Sequence, residues 1–331
     1  MLYDGIYHCV IHMITACSTL YKGAHMQVAM LGDRNKYIGG TDAAGVLAMS
    51  RWSSPMKVFA EKTGLIVTED IGNKLYVKLG KKLEDIVAEL FCDETGKKVR
   101  RVNETLFHPK YNFIGANIDR RIVGENAILE CKTVSAWKSK EWGGEEIPRE
   151  YIVQCLHYLA VTGADTAYIA VLIGNQDFKW KIIRRDEGIL SDIVNREVTF
   201  WKDYVEKNEI PQVVTKYDAG PLDDMFPKEN GVEIQLNDEA NQIIEILDSY
   251  KQDRNNLDGL IDQKENELKL LLGEAKSGTT SLYKVNWSNS TYSSIDGKSL
   301  QIDMPDIWSK YYKTRPIRRF SYKKLTTEEE K

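Results

Sequence analysis

Ile114-Gly115-Ala116-Asn117-Ile118-Asp119-Arg120-Arg121-Ile122-Val123 and Ala127-Ile128-Leu129-Glu130-Cys131-Lys132-Thr133-Val134 read as two β-strands joined through Gly124-Glu125-Asn126. Both runs are rich in apolar and β-branched residues, which suit a pleated, half-buried surface, and the glycine-led joint is a hairpin signal. With Gly124-Glu125 as a two-residue turn, Val123 pairs with Asn126 and Asp119 falls directly opposite Glu130. Lys132, two residues on, shares the face of Glu130. A three-residue turn would shift the register by one and need a bulge to restore it.

Two facing carboxylates repel, so a site that keeps both ionised usually holds a cation. Oxygen-only ligands favour magnesium or manganese over zinc, and magnesium keeps waters and substrate phosphate oxygens in its shell. Such an ion polarises a scissile phosphate and acidifies an attacking water. A lysine beside it orients that water, helps deprotonate it or neutralises charge in the transition state. General-base duty would need a depressed pKa, and nearby carboxylates push the other way. Glu-x-Lys alone carries little, since it recurs at Glu267, Glu274 and Glu329. Only Glu130-x-Lys132 follows an apolar strand-like run and has an acid on a paired strand; an exposed hairpin with a salt bridge is the bland alternative.

A chain of 331 residues accommodates one large domain, or a domain with an appendage. No apolar run approaches the length of a bilayer span. The five cysteines (9, 17, 92, 131 and 155) show neither paired metal spacing nor an even disulfide framework, which suits a reducing cytoplasm. A net charge of −4 gives no global attraction to nucleic acid. Any such surface is local, with Lys97-Lys98-Val99-Arg100-Arg101 and the stretch from Arg315 to Lys324 as candidates. Residues 1–29 look unlike the rest and are set aside as an N-terminal extension. They lack the basic leader of a secretory signal, and His8, Cys9, His12, Cys17 and His25 match no common zinc spacing.

Along the chain, Ile38-Gly39-Gly40-Thr41-Asp42 turns into a helix capped by Thr41 or Asp42. A second helix runs from Pro55 to Lys62 and stops at Gly64, and a third spans Ile71 to Phe91 with Glu84 beside its apolar stripe. After the hairpin come a helix from Arg149 to Thr162, whose Tyr151, Gln154 and Tyr158 form a stripe, and strands Thr166–Ile173 and Phe178–Arg184. This order describes an α/β (α+β) fold, a mixed central sheet flanked by helices. Residues 30–215 form the core; 216–331 add a coiled-coil-like helix at about 238–276, expected to pack within the chain, and a small β-rich tail. The tail strands are placed at Ser281–Trp287 and Phe320–Lys323, around a helix near Ile307–Tyr312.

In this order the motifs resemble the YqaJ-type viral recombinase family, relatives of phage lambda exonuclease in the PD-(D/E)xK nuclease superfamily. The resemblance rests on Ile38 to Ala44, Ser53-Ser54-Pro55, Glu61-Lys62-Thr63-Gly64, Gly80 to Glu84, Asp119, Glu130-x-Lys132, and Gln154 with Tyr158. It runs from about Arg34 to Arg185, and Tyr283 to Tyr322 also looks like the family's C-terminal region. It implies a PD-(D/E)xK core in which Asp119, Glu130 and the Cys131 carbonyl hold magnesium (manganese could substitute), with Glu84 joining directly or through water. Lys132 would handle the nucleophilic water and Gln154 would steady the site. In lambda exonuclease an arginine and a serine seven residues later hold the DNA 5′-phosphate; Arg34 and Thr41 have that separation here.

The implied activity is 5′→3′ digestion of one strand of duplex DNA from an end, leaving a 3′ overhang for a phage single-strand annealing protein. The implied setting is a phage or prophage protein in the bacterial cytoplasm, acting as a homo-oligomer, with a ring-shaped trimer as the model. An iron–sulfur cluster is disfavoured because no cysteine follows residue 155. The alternatives are an endonuclease or repair nuclease of the same superfamily, and a non-catalytic DNA-binding or assembly subunit.

Overall fold

The hairpin forms in the expected register. In the computed structural model, which describes residues 33–67, 71–144, 146–315 and 317–324, Arg120 pairs with Leu129 and Arg121 with Ile128. Continued by one step, this pairing sets Asp119 across from Glu130. The strands are β4 (Arg120–Ile122) and β5 (Ala127–Val134), part of a five-stranded sheet with β1 (Val99–Arg101), β6 (Thr166–Ile173) and β7 (Asp177–Arg184). The order is β1-β4-β5-β6-β7. Only β5 and β6 run parallel, as required of strands joined by a helical crossover. A short antiparallel pair, β2 (Leu106–Phe107) and β3 (Gly115–Ala116), lies apart.

Alternation along the strands gives the sheet two apolar faces. On one face, α3 (Leu75–Thr95) buries Val87, Ala88 and Phe91 against Ile122, Ala127, Leu129, Tyr168 and Ala170. On the other, Ile128, Ala167, Ile169 and Val171 meet a layer built from α1 (Gly40–Val46), α2 (Pro55–Lys62), the crossover helix α4 (Arg149–Thr162) and α5 (Glu187–Phe200). Gly40 lets α1 and α4 approach: a Cβ there would lie 2.4 Å from the Tyr158 ring.

Helices α2 and α4 and strand β6 lie where the sequence places them. The third helix starts at Leu75 rather than Ile71 and runs on to Thr95, ending at Gly96 in the left-handed conformation. The first helix is capped by Gly39, not by Thr41 or Asp42; Asp42, at the third helical position, reaches back to accept the Gly39 amide at 2.9 Å. The zinc-like residues between His8 and His25 lie outside the described residues.

The chain divides into two compact units, one ending at Pro227 and one beginning at Lys228. Within the first, buried Asp218 accepts the amides of Val214 and Thr215 at 2.9 and 2.8 Å and heads α6 (Ala219–Met225). The second holds α7 (Asp238–Leu272), a β8–β9 ribbon (Ser277–Thr279 with Lys284–Asn286), α8 (Gly297–Asp303) and α9 (Pro305–Tyr311). No residue of α7 is buried. Phe320–Lys323 forms no strand; Tyr322 instead lies along α7, its hydroxyl accepting from Lys251 at 2.6 Å and donating to Asp248 at 2.5 Å. Among the described residues, no helix is long and apolar enough to cross a membrane.

Candidate active site

The crossover β5–α4–β6 assembles most of the site. Glu130 and Lys132 alternate onto the face that meets α4, and Gln154 projects back from that helix. Lys132 Nζ donates to Glu130 Oε1 at 2.6 Å and to Gln154 Oε1 at 2.9 Å. Gln154 Nε2 donates to the same Glu130 oxygen at 2.8 Å and to the Tyr158 hydroxyl at 3.0 Å. The ammonium also lies 5.1 Å from the centre of the Tyr151 ring. Burial would lower the pKa of Lys132, but the charge of Glu130 and its hydrogen bond dominate and push it up to about 12. Lys132 is therefore a fixed cation.

Asp119 enters from the end of β4. Its Oδ2 accepts the Cys131 amide at 2.8 Å, so the described contact of Cys131 in the site is through its N–H. Burial, reinforced by the charge of Glu130, pushes the Asp119 carboxyl up to about 8. Glu130 Oε2 is buried and has no hydrogen-bond partner among the described residues. A carboxylate oxygen left unsatisfied beside a second buried carboxyl is a donor arrangement that fits a divalent cation.

Glu84 is not brought directly to this pair. Its Oε1 is taken by Arg120 Nη1 at 2.5 Å, and the same nitrogen donates to the Asp119 carbonyl at 2.8 Å. Among the described residues no three acidic, histidine or cysteine side chains converge as a metal cage. The donor set is two carboxylates, which fits an ion that completes its shell with water and phosphate oxygens. Sequence reasoning overlooked Arg120. The available signal was an arginine beside Asp119, pointing to the opposite face, with Glu84 and Asp85 waiting on the preceding helix.

Arg34 and Thr41 are both exposed. Arg34 lines a cavity of about 830 Å³ with Lys36, Tyr37, Asn112, Asn117 and Trp201. Thr41, in the first turn of α1, is not among its walls. Buried Lys62 ties their two segments together, donating to the Arg34 carbonyl at 2.8 Å and to Asp42 Oδ2 at 2.6 Å.

Residues 30–165 match the model of the YqaJ-like viral recombinase domain. The chain is 39% identical over 303 residues to the uncharacterized protein YqaJ of Bacillus subtilis (strain 168), covering 89% of this chain and 93% of that one. Among solved structures it is similar to the alkaline exonuclease LHK-Exo of Laribacter hongkongensis, at 21% identity and a TM-score of 0.46, over 53% of this chain and 91% of that chain. It is also similar to a phage-related exonuclease of Haemophilus somnus 129PT, at 16% identity and a TM-score of 0.39, over 54% and 98%. With residues 30–165 matching the domain model and the likeness to YqaJ running over nearly the whole of both chains, the chain belongs to the YqaJ-like viral recombinase family.

Proposed function

We propose that this chain is a magnesium-dependent deoxyribonuclease that digests one strand of linear duplex DNA 5′→3′, leaving 3′ overhangs for recombination by single-strand annealing. The observation that carries the reading is the buried, unpartnered oxygen of Glu130 beside an Asp119 carboxyl raised to about 8, with charged Lys132 at hydrogen-bond distance. Membership of a viral recombinase family supports the recombination setting.

Asp119 and Glu130 would hold the ion, which when bound supplies Lewis acidity at the phosphate and a more acidic water. The Cys131 amide aims Asp119. Lys132 spends two of its three donors on Glu130 and Gln154, which leaves one for the attacking water or a phosphate oxygen. Its charge, held against burial by the Glu130 carboxylate, suits positioning and charge stabilisation, with proton abstraction the alternative role. Gln154, anchored to Tyr158, is a positioning residue. Glu84, clasped by Arg120, acts on the site through that arginine or through water. Arg34 and Thr41 are assigned to the 5′-phosphate: a guanidinium binds phosphate in a bidentate fork, and the Lys62 bridge supports their joint action. A homo-oligomeric ring would gather local basic surfaces of an acidic chain around the duplex, and an annealing protein would take the overhang.

The test is a linear duplex labelled separately at each 5′ and each 3′ end, incubated with magnesium beside covalently closed circular DNA. Early release of 5′-labelled mononucleotides from the linear substrate alone, absent with Lys132→Ala, is expected. Cut circles would reassign the protein as an endonuclease. Binding without cleavage in magnesium or manganese would leave only an assembly role.

A further inference from the structure

The edge of the sheet carries two stacked arginine pairs that differ in one respect. Arg101 faces Arg120 across β1 and β4, and Arg100 faces Arg121 in the next rung. Successive residues point to opposite faces, so the first pair lies over α3 and the second on the α4 side, where Glu130 and Lys132 sit. The pair over α3 is neutralised: Arg120 binds Glu84 and Asp85, and Arg101 binds Asp85. Lys97, which alternates onto the same face, pairs with Glu125 and lies over the Tyr168 ring. On the other face, exposed Arg100 and half-buried Arg121 have no carboxylate partner among the described residues. Exposed Lys98, whose carbonyl accepts the Val123 amide, extends that row. The basic run 97–101 is thus split by alternation into a neutralised half and an unneutralised half.

Like charges directly opposite on paired strands destabilise a sheet. Here they occur two residues along the strand from Asp119, or about 7 Å. We propose that Arg100 and Arg121, with Lys98, bind the phosphodiester backbone of the DNA beside the cleavage site, as a clamp that positions substrate and takes no part in bond breaking. The ligand class follows from the placement: two arginines paired across the strands, one exposed and one half-buried, with no aromatic ring over either among the described residues, suit phosphate oxygens rather than base stacking. The inference deepens the nuclease reading and rests on it.

The test compares the wild type with Arg100→Gln/Arg121→Gln, measuring duplex affinity in calcium from 50 to 200 mM salt and hydrolysis of a small aryl phosphodiester in magnesium. Each phosphate contact contributes about 0.9 to the slope of log affinity against log salt, so losing two lowers it by about 1.8. The wild type's affinity advantage should therefore shrink about tenfold across that range. Hydrolysis of the small diester should be unchanged, and the melting temperature should not fall, since a repulsive pair has been removed. An unchanged salt slope would overturn the clamp while leaving the nuclease standing, and a lowered melting temperature would overturn the claim of unrelieved repulsion. A wild type that cleaves neither DNA nor the small diester would overturn the nuclease reading itself. An equal loss of small-diester and DNA cleavage would place the pair in the chemistry and overturn a positioning role.

Discussion

At Asp119 two demands meet. The side chain must be buried enough to aim at the Glu130 pair, yet burial and that neighbour oppose its charge. Asp119→Asn keeps an acceptor for the Cys131 amide and removes the conflict. In chelator at neutral pH and above, this variant should melt a few degrees higher than the wild type, since about 1 kcal/mol shifts the midpoint by roughly 2–4 °C at this size. It should also be inactive; a lower midpoint would show that the aspartate is not under strain. Lys132→Met should reduce turnover by about 10²–10³-fold, the usual cost of removing one charge-stabilising donor, and a tenfold effect or less would move the work elsewhere. Another buried pair is separate from this chemistry. Both ring nitrogens of His157 face acceptors, Glu197 Oε1 at 2.7 Å and the Gly115 carbonyl at 2.8 Å. Burial alone would lower its pKa, but the charge and hydrogen bond of Glu197, the Gly115 carbonyl and the more distant Asp42 hold it above the ordinary value. A raised histidine stabilises the fold fully below its unfolded pKa of about 6.5 and loses that contribution as pH climbs through the folded value. In urea titrations, the stability gap between wild type and His157→Gln should therefore narrow as pH rises from 6; a widening gap would contradict the pairing.

Among the elements, α4 supports the site through a single close approach. Gly40→Ala would press a methyl into the Tyr158 ring, whose hydroxyl holds Gln154. The expected cost is about 1–3 kcal/mol, together with reduced activity at unchanged protein concentration, read from a denaturant melt and an end-labelled assay; a neutral variant would mean that α1 shifts freely on α4. The hairpin was legible because its register follows from one glycine turn and from alternation, both local. Helices α2 and α4 were legible for the same reason: a proline or glycine marks each end of their apolar period. The His157–Glu197 pair was not legible, because its members lie far apart in sequence and nothing local requires them, and Arg120 was marked only indirectly, by alternation onto the face opposite Asp119. The Phe320–Lys323 strand failed because alternation alone does not supply a pairing partner; Tyr322 found one on α7 instead.

On the scale of the whole molecule, the chain passes from one unit to the next through a stretch with no regular structure. Residues 228–237 are exposed throughout and lie between α6 and α7. Limited trypsin digestion should cut first at Lys228, mapped by intact mass; protection there would mean that the stretch is covered in solution. The exposed apolar residues along α7, from Ile243 to Leu271, explain why its heptad-like spacing was visible in sequence, although that spacing did not reveal what it faces. The chemistry is laid out differently. Glu130, Lys132, Gln154 and Tyr158 all sit on one strand–helix–strand unit, and Asp119 lies one hairpin away from it. The reactive groups are thus inherited together as one uninterrupted stretch of chain, and exchange of the segment after Pro227 would carry off none of them.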